Sequence, residues 1–90
     1  KKVLVGKVMK YFSKLGVAEI AVEASEIEKE QKMLITGPTT GLVRFTVEEL
    51  RVDMEAVERA EKGQVCSIAV PDKVRPGDRV YIFSDRTVKQ

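Results

Sequence analysis

The chain has 90 residues, 43% of them hydrophobic and 33% charged, with a formal net charge of +2 and a single cysteine, Cys66. A chain of this length buries only roughly 60–65% of its unfolded surface, so it holds one thin core and no enclosed catalytic cavity. It contains no histidine, which removes the usual general base, the physiological-pH switch and the commonest metal ligand, and with them any Ser-His-Asp triad.

One cysteine makes neither an internal disulfide nor a multi-thiolate or iron–sulfur site, and its use favours a reducing, cytoplasmic setting. No apolar run approaches the roughly 18–20 residues of a membrane span. The expectation is a non-enzyme with no catalytic residue, no cofactor, no metal and no membrane contact. Charge is unevenly spread. Lys1, Lys2, Lys7, Lys10 and Lys14 precede any acid, Glu19 to Glu30 form an acidic stretch, and the end is mixed but basic.

In chain order, the first strand signal is "VLVGKVMKYF". The second is "VAEIAVEA", where Ala18, Ile20 and Val22 alternate with Glu19, Ala21 and Glu23. "KMLIT" and "LVRFTVEELRV" follow. In the latter, Val43, Phe45 and Val47 have one parity and Leu50 and Val52 the other, which predicts a β-bulge at Glu48–Glu49. "ELRVDMEAVERAEKG" has good helix formers, but its apolar positions fit alternation at least as well. The only helix it allows is one turn around Val57 to Lys62. "VCSIAV" places Cys66, Ile68 and Val70 on one face, and "RVYIF" is the last strand.

Two segments carry more than local structure. "GPTTG", Gly37 to Gly41, lacks the lysine and the following helix of a phosphate-binding loop, while Pro38 suits the first central position of a turn. It reads as a hairpin tip. "IEKEQKMLIT", from Ile27, aligns without gaps on "VRPGDRVYIF", from Val74, and "AEKGQVCSIAV" is a looser third copy. Each is an apolar residue, a polar turn and a strand. Short, evenly spaced strands without a capped helical window predict an all-β fold: a small closed antiparallel barrel of six or seven strands. Residues 1–83 form the domain and 84–90 a tail or linker.

"VGKVMKYFSKLGVAEIAVEA", "ITGPTTG" and "VRPGDRVY" resemble the C-terminal β-barrel domain of the collagenase-like peptidases, from about Val5 to Phe83. That domain is similar to domain II of translation elongation factors, and small archaeal proteins made of this barrel alone are called translation elongation factor-like. The resemblance implies an accessory or binding barrel whose partner is a parent enzyme domain or another protein. The large relatives include peptidases and enzymes that modify RNA, and none of their catalytic machinery maps onto these residues. The chain departs from the family pattern at Glu30–Gln31, where a Gly-Asp turn is common, and at Asp53–Met54, where Asp-Gly is. Both departures call the tightness of those turns into question.

Parity on the first strand points Leu4 and Val8 inward and Lys7, Met9 and Tyr11 outward. On the last strand, Val80 and Ile82 point inward, leaving Arg79, Tyr81 and Phe83 outside. Lys7, Met9, Tyr11, Arg79, Tyr81 and Phe83 are therefore the candidate interaction face. It is suited to RNA, with Lys7 and Arg79 on phosphates and Tyr11 and Tyr81 stacking, or to a protein partner. The plainer expectation is a solvated lattice in which Lys7 and Lys10 face Glu19 and Glu23. Cys66 reads as a core residue, and neither Glu48 with Glu49 nor Asp78 with Asp85 makes an acid/base pair. Three functions follow: a non-catalytic binding module, a free-standing protein contacting RNA or the translation apparatus, or a substrate-binding fragment of a peptidase or RNA-modifying enzyme.

Overall fold

The computed structural model describes residues 1–83; the tail expected at 84–90 lies outside them. Ten strands form in chain order: β1 (Lys2–Phe12), β2 (Val17–Val22), β3 (Ile27–Glu28), β4 (Lys32–Gly37), β5 (Gly41–Thr46), β6 (Leu50–Val52), β7 (Glu55–Ala56), β8 (Arg59–Ala60), β9 (Val65–Ala69) and β10 (Arg79–Phe83). Among the described residues there is no helix, and the segment proposed for a helical turn instead carries β8.

Eight strands make one antiparallel sheet in the order β5-β4-β10-β1-β2-β9-β6-β7, and β3 pairs with β8 in a separate ribbon. The all-β expectation holds; the closed barrel of six or seven strands does not. No ladder joins the sheet's edges, β5 and β7, among the described residues. The cause lies at Val47. Its N–H donates to the Gln31 carbonyl (2.8 Å), and its own carbonyl accepts from the Glu30 N–H (2.7 Å). With both backbone groups committed to the β3–β4 turn, the chain leaves the sheet after Thr46 and re-enters it at Leu50 beside β9. The parity change at Glu48–Glu49 is thus a break between two strands with different neighbours, not a bulge within one. The sheet still curls around a single core, because Val43 of β5 and Leu50 of β6 join Val5, Val8, Ile20, Met33, Ile35, Ile68 and Val80 in one buried cluster.

Bulges do occur, but on β1. The register against β10 shifts between Leu4 and Gly6, and that against β2 between Val8 and Lys10. Each shift inserts a residue and reverses the alternation that follows. Val5 and Val8 are therefore buried, Leu4 is 48% exposed, and Tyr11 packs against the core. The inward placement of Leu4 and the outward placement of Tyr11 expected from simple parity are both corrected by these bulges.

The sequence echo is a structural repeat. Ile27, Ala60 and Val74 are each buried in the core. In each copy the next residue donates its N–H to a side-chain oxygen three positions on: Glu28 to Gln31 Oε1 (2.9 Å), Glu61 to Gln64 Oε1 (2.7 Å) and Arg75 to Asp78 Oδ2 (2.9 Å). The return bonds, from the N–H of Gln31, Gln64 and Asp78, go to the carbonyls of Glu28, Glu61 and Arg75. The residue just before the acceptor has positive φ, at 74° for Glu30, 94° for Gly63 and 90° for Gly77. A four-residue turn with positive φ at its third position has the type II signature, which favours glycine there and proline before it, as in Pro76–Gly77. Three such turns launch β4, β9 and β10.

Candidate functional site

Register places side chains from four neighbouring strands on one outer face. Leu4 of β1 lies opposite Tyr81 of β10, Tyr81 opposite Leu34 of β4, and Leu34 opposite Arg44 of β5. The next outward row is Lys7, Arg79, Thr36 and Leu42. Lys2 and Phe83 pair at the end of the face.

Leu34 shows how this face is built. Its neighbours Met33 and Ile35 fill the core, so alternation turns Leu34 outward, yet it is only 4% exposed and lies outside the core cluster. Aromatic and cationic side chains occupy the same surface. The Lys2 ammonium sits 4.4 Å from the Tyr81 ring centre, and the Arg44 guanidinium 5.0 Å from that of Phe83. These distances suit cation–π attraction. Leu42, 65% exposed, and Leu4 leave apolar surface open beside them. Two grooves adjoin the end of the face. One, of about 570 Å³, is lined by Val3, Glu28, Lys29, Gln31, Lys32 and Phe83 among others; the second, of about 480 Å³, by Lys32, Arg44, Phe45, Thr46 and Phe83.

The structure brings together Lys7, Arg79, Tyr81 and Phe83 of the expected face. Lys7 and Arg79 are direct cross-strand neighbours, and their repulsion is offset where Lys7 meets Glu23 at 3.7 Å. Lys10 lies opposite Glu19, so the expected charge lattice across the first hairpin is present as well. Tyr11 is separated from this set by the second bulge, and Met9, at that bulge, is exposed. Leu4, Leu34, Leu42 and Arg44 belong to the face and were missed. The alternation in "KMLITG" and "GLVRFT" holds the signal for Leu34, Leu42 and Arg44, but the partnership of β4 with β10 is needed to use it.

Asp78 has a structural role. It is the one buried charged residue among the described residues, 4% exposed, and its carboxylate accepts from the Thr40 hydroxyl as well as from the Arg75 N–H. A Cβ at Gly37 would overlap that carboxylate. "GPTTG" and "RPGD" are thus two halves of one contact: the hairpin tip is held to the turn before β10. The hairpin reading of "GPTTG" is supported by the pairing of Gly37 with Gly41. Asp85 lies outside the described residues.

Nucleophilic chemistry has no foothold at Cys66, which is buried and whose thiol burial pushes from 9.0 up to about 12, holding it as the unreactive neutral form. Among the described residues no three His, Cys, Asp or Glu side chains cluster to hold a metal ion.

The fold is similar to that of the C-terminal domain of a protein described as a U32 peptidase. The crystal structure of that domain from Geobacillus thermoleovorans matches with a TM-score of 0.84 over 91% of this chain and 93% of that one, at 14% identity. Its selenomethionine variant matches at 0.80. In sequence, the chain is similar to a collagenase of Porphyromonas gingivalis, 51% identical over 85 residues, and to an uncharacterised protease of Methanocaldococcus jannaschii, 33% identical over the same length. These matches span 94% of this chain but only 20% and 21% of those proteins. The chain therefore corresponds to about a fifth of the curated relatives it matches. No protein-family model matches it.

Proposed function

We propose that this chain acts as the non-catalytic C-terminal β-domain of a collagenase-like peptidase, an accessory or binding module for chemistry carried elsewhere in a longer polypeptide. The coverage carries this reading: nearly the whole chain is similar to a small part of proteases several times its length. A chain without histidine, whose one thiol is buried, adds weight, and we propose a reducing, cytoplasmic setting for it. The test compares three proteins on gelatin and on a short peptide: this chain, the longer protein, and the longer protein without this region. The chain alone should be inactive, and losing the region should reduce gelatin turnover more than peptide turnover. Turnover by the pure chain, abolished by a single carboxylate substitution, would rule the reading out.

RNA binding is the second reading, supported by Lys7, Arg79 and Tyr81 sharing one face. Each base stacked on a tyrosine contributes about 1–3 kcal/mol. With Tyr11 turned to the core the set has lost one of its two stacking rings, so the accessory reading is preferred. Binding of fluorescent single-stranded RNA at low salt, abolished by Lys7→Glu with Arg79→Glu, would reverse that preference.

A further inference from the structure

We infer that the outer face of β1, β10, β4 and β5 is the surface on which this domain packs against the rest of the longer protein, meeting a patch that is apolar at its centre and acidic at its rim. This rests on the reading just proposed, that the chain is one domain of a longer protein, and it names the contact surface within it.

Three observations carry it. First, composition: Leu4, Leu34, Tyr81 and Leu42 form an apolar and aromatic strip, with Arg44 and Arg79 beside it, and no outward position of these strands from Lys2 to Lys7, Lys32 to Thr36, Leu42 to Thr46 or Arg79 to Phe83 is acidic. Aromatic residues and arginine with few acids mark the cores of protein interfaces. The outward positions on β2 and β9, by contrast, are Val17, Glu19, Ala21, Val65, Ser67 and Ala69, with no aromatic residue and no arginine among them. Second, both ends of the described strands emerge at this face, since Lys2 and Phe83 are cross-strand partners. Polypeptide joined to either end starts at its edge, where a short tether gives a high effective concentration. Third, the curated relatives carry about four-fifths of their length outside this region, enough chain to supply a partner surface. Lys2, Arg44 and Arg79, on strands with no outward acid, select an acidic complement and steer against like-charged surfaces.

Hydroxyl-radical footprinting of the isolated chain and of the longer protein, each with and without nuclease treatment, tests the inference. Leu42 and Tyr81 should be oxidised readily in the isolated chain and lose most of that oxidation in the longer protein. Leu15 and Met54, exposed elsewhere at 73% and 89%, should be oxidised alike in both and serve as internal controls. Leu42→Glu with Arg44→Glu in the longer protein should restore oxidation of Tyr81 with the circular dichroism spectrum unchanged, because both side chains are exposed. Equal oxidation of Leu42 and Tyr81 in the two forms overturns the inference while leaving the C-terminal-domain reading standing. Protection that disappears on nuclease treatment overturns it in favour of nucleic acid. A native polypeptide no longer than this chain overturns the reading, and the inference with it.

Discussion

The turn from Arg75 to Asp78 and the turn from Glu28 to Gln31 share one hydrogen-bond pattern but reach different distances. In the first, Asp78 is buried, and its carboxylate also takes the hydroxyl of Thr40, which is 38 residues away in sequence. In the second, Gln31 is half-buried and its side chain serves only its own turn. The positive-φ position differs too: Gly77 adopts it freely, whereas Glu30 holds it against the steric cost of a Cβ. The same local device is a long-range tie in one place and a local cap in the other. What separates them is the side chain at the fourth position and what lies within its reach.

Breaking the long-range tie should have the largest effect. Asp78→Ala leaves the Thr40 hydroxyl and the Arg75 N–H without their acceptor, and should cost about 2–3 kcal/mol in urea unfolding. Gln31→Ala should cost about 1 kcal/mol or less, since its turn is partly open to water. Equal losses at the two sites would show that reach does not matter.

The same tie can be strained from its other half. Gly37→Ala drives a Cβ into the Asp78 carboxylate and should cost about 1–3 kcal/mol. The penalty should shrink in an Asp78→Ala background, a non-additivity readable in a double-mutant cycle.

The positive-φ positions should respond with opposite sign. Gly77→Ala should destabilise by about 1–2 kcal/mol, the cost of left-handed backbone for a residue with a Cβ. Glu30→Gly should stabilise by about 0.5 kcal/mol, the relieved strain less the added freedom of the unfolded chain. Thermal midpoints of both variants check the pair, and a loss of stability in Glu30→Gly would mean that Glu30 makes a compensating contact.

The smallest effect belongs to Lys7→Ala. Its contact with Glu23 is exposed on both sides, so the change in stability should stay within about 0.5 kcal/mol and fade with salt. A larger loss would give this pair a weight its geometry does not explain.

Much of this could be read in advance because it is local. The hairpin at "GPTTG" follows from Pro38 and the flanking glycines, and two of the turn–strand units were visible as a gapless echo with the third as a looser copy. Asp53 and Met54, standing where a glycine is common, still form a tight hairpin with φ of 53° and 70°. The sequence raised doubt there, and the pairing of Val52 with Glu55 removed it. The candidate face was half legible. Lys7, Arg79, Tyr81 and Phe83 follow from alternation, whereas Tyr11 and Leu4 were misplaced because no composition signal marks the two bulges of β1.

From its sequence alone, the chain determined the β class, the absence of imidazole chemistry, the turn positions and which residues alternate. These depend on backbone preferences and side-chain type within a few residues of one another. Tertiary structure decided that the sheet stays open between β5 and β7, that Val47 bonds to the β3–β4 turn, that Asp78 holds Thr40, and that β4 brings Leu34 beside Tyr81. Each of these pairs groups far apart along the chain. Which distant partner satisfies a backbone amide or a buried carboxylate depends on how the sheet twists and curls around its core, and short-range alternation does not encode that.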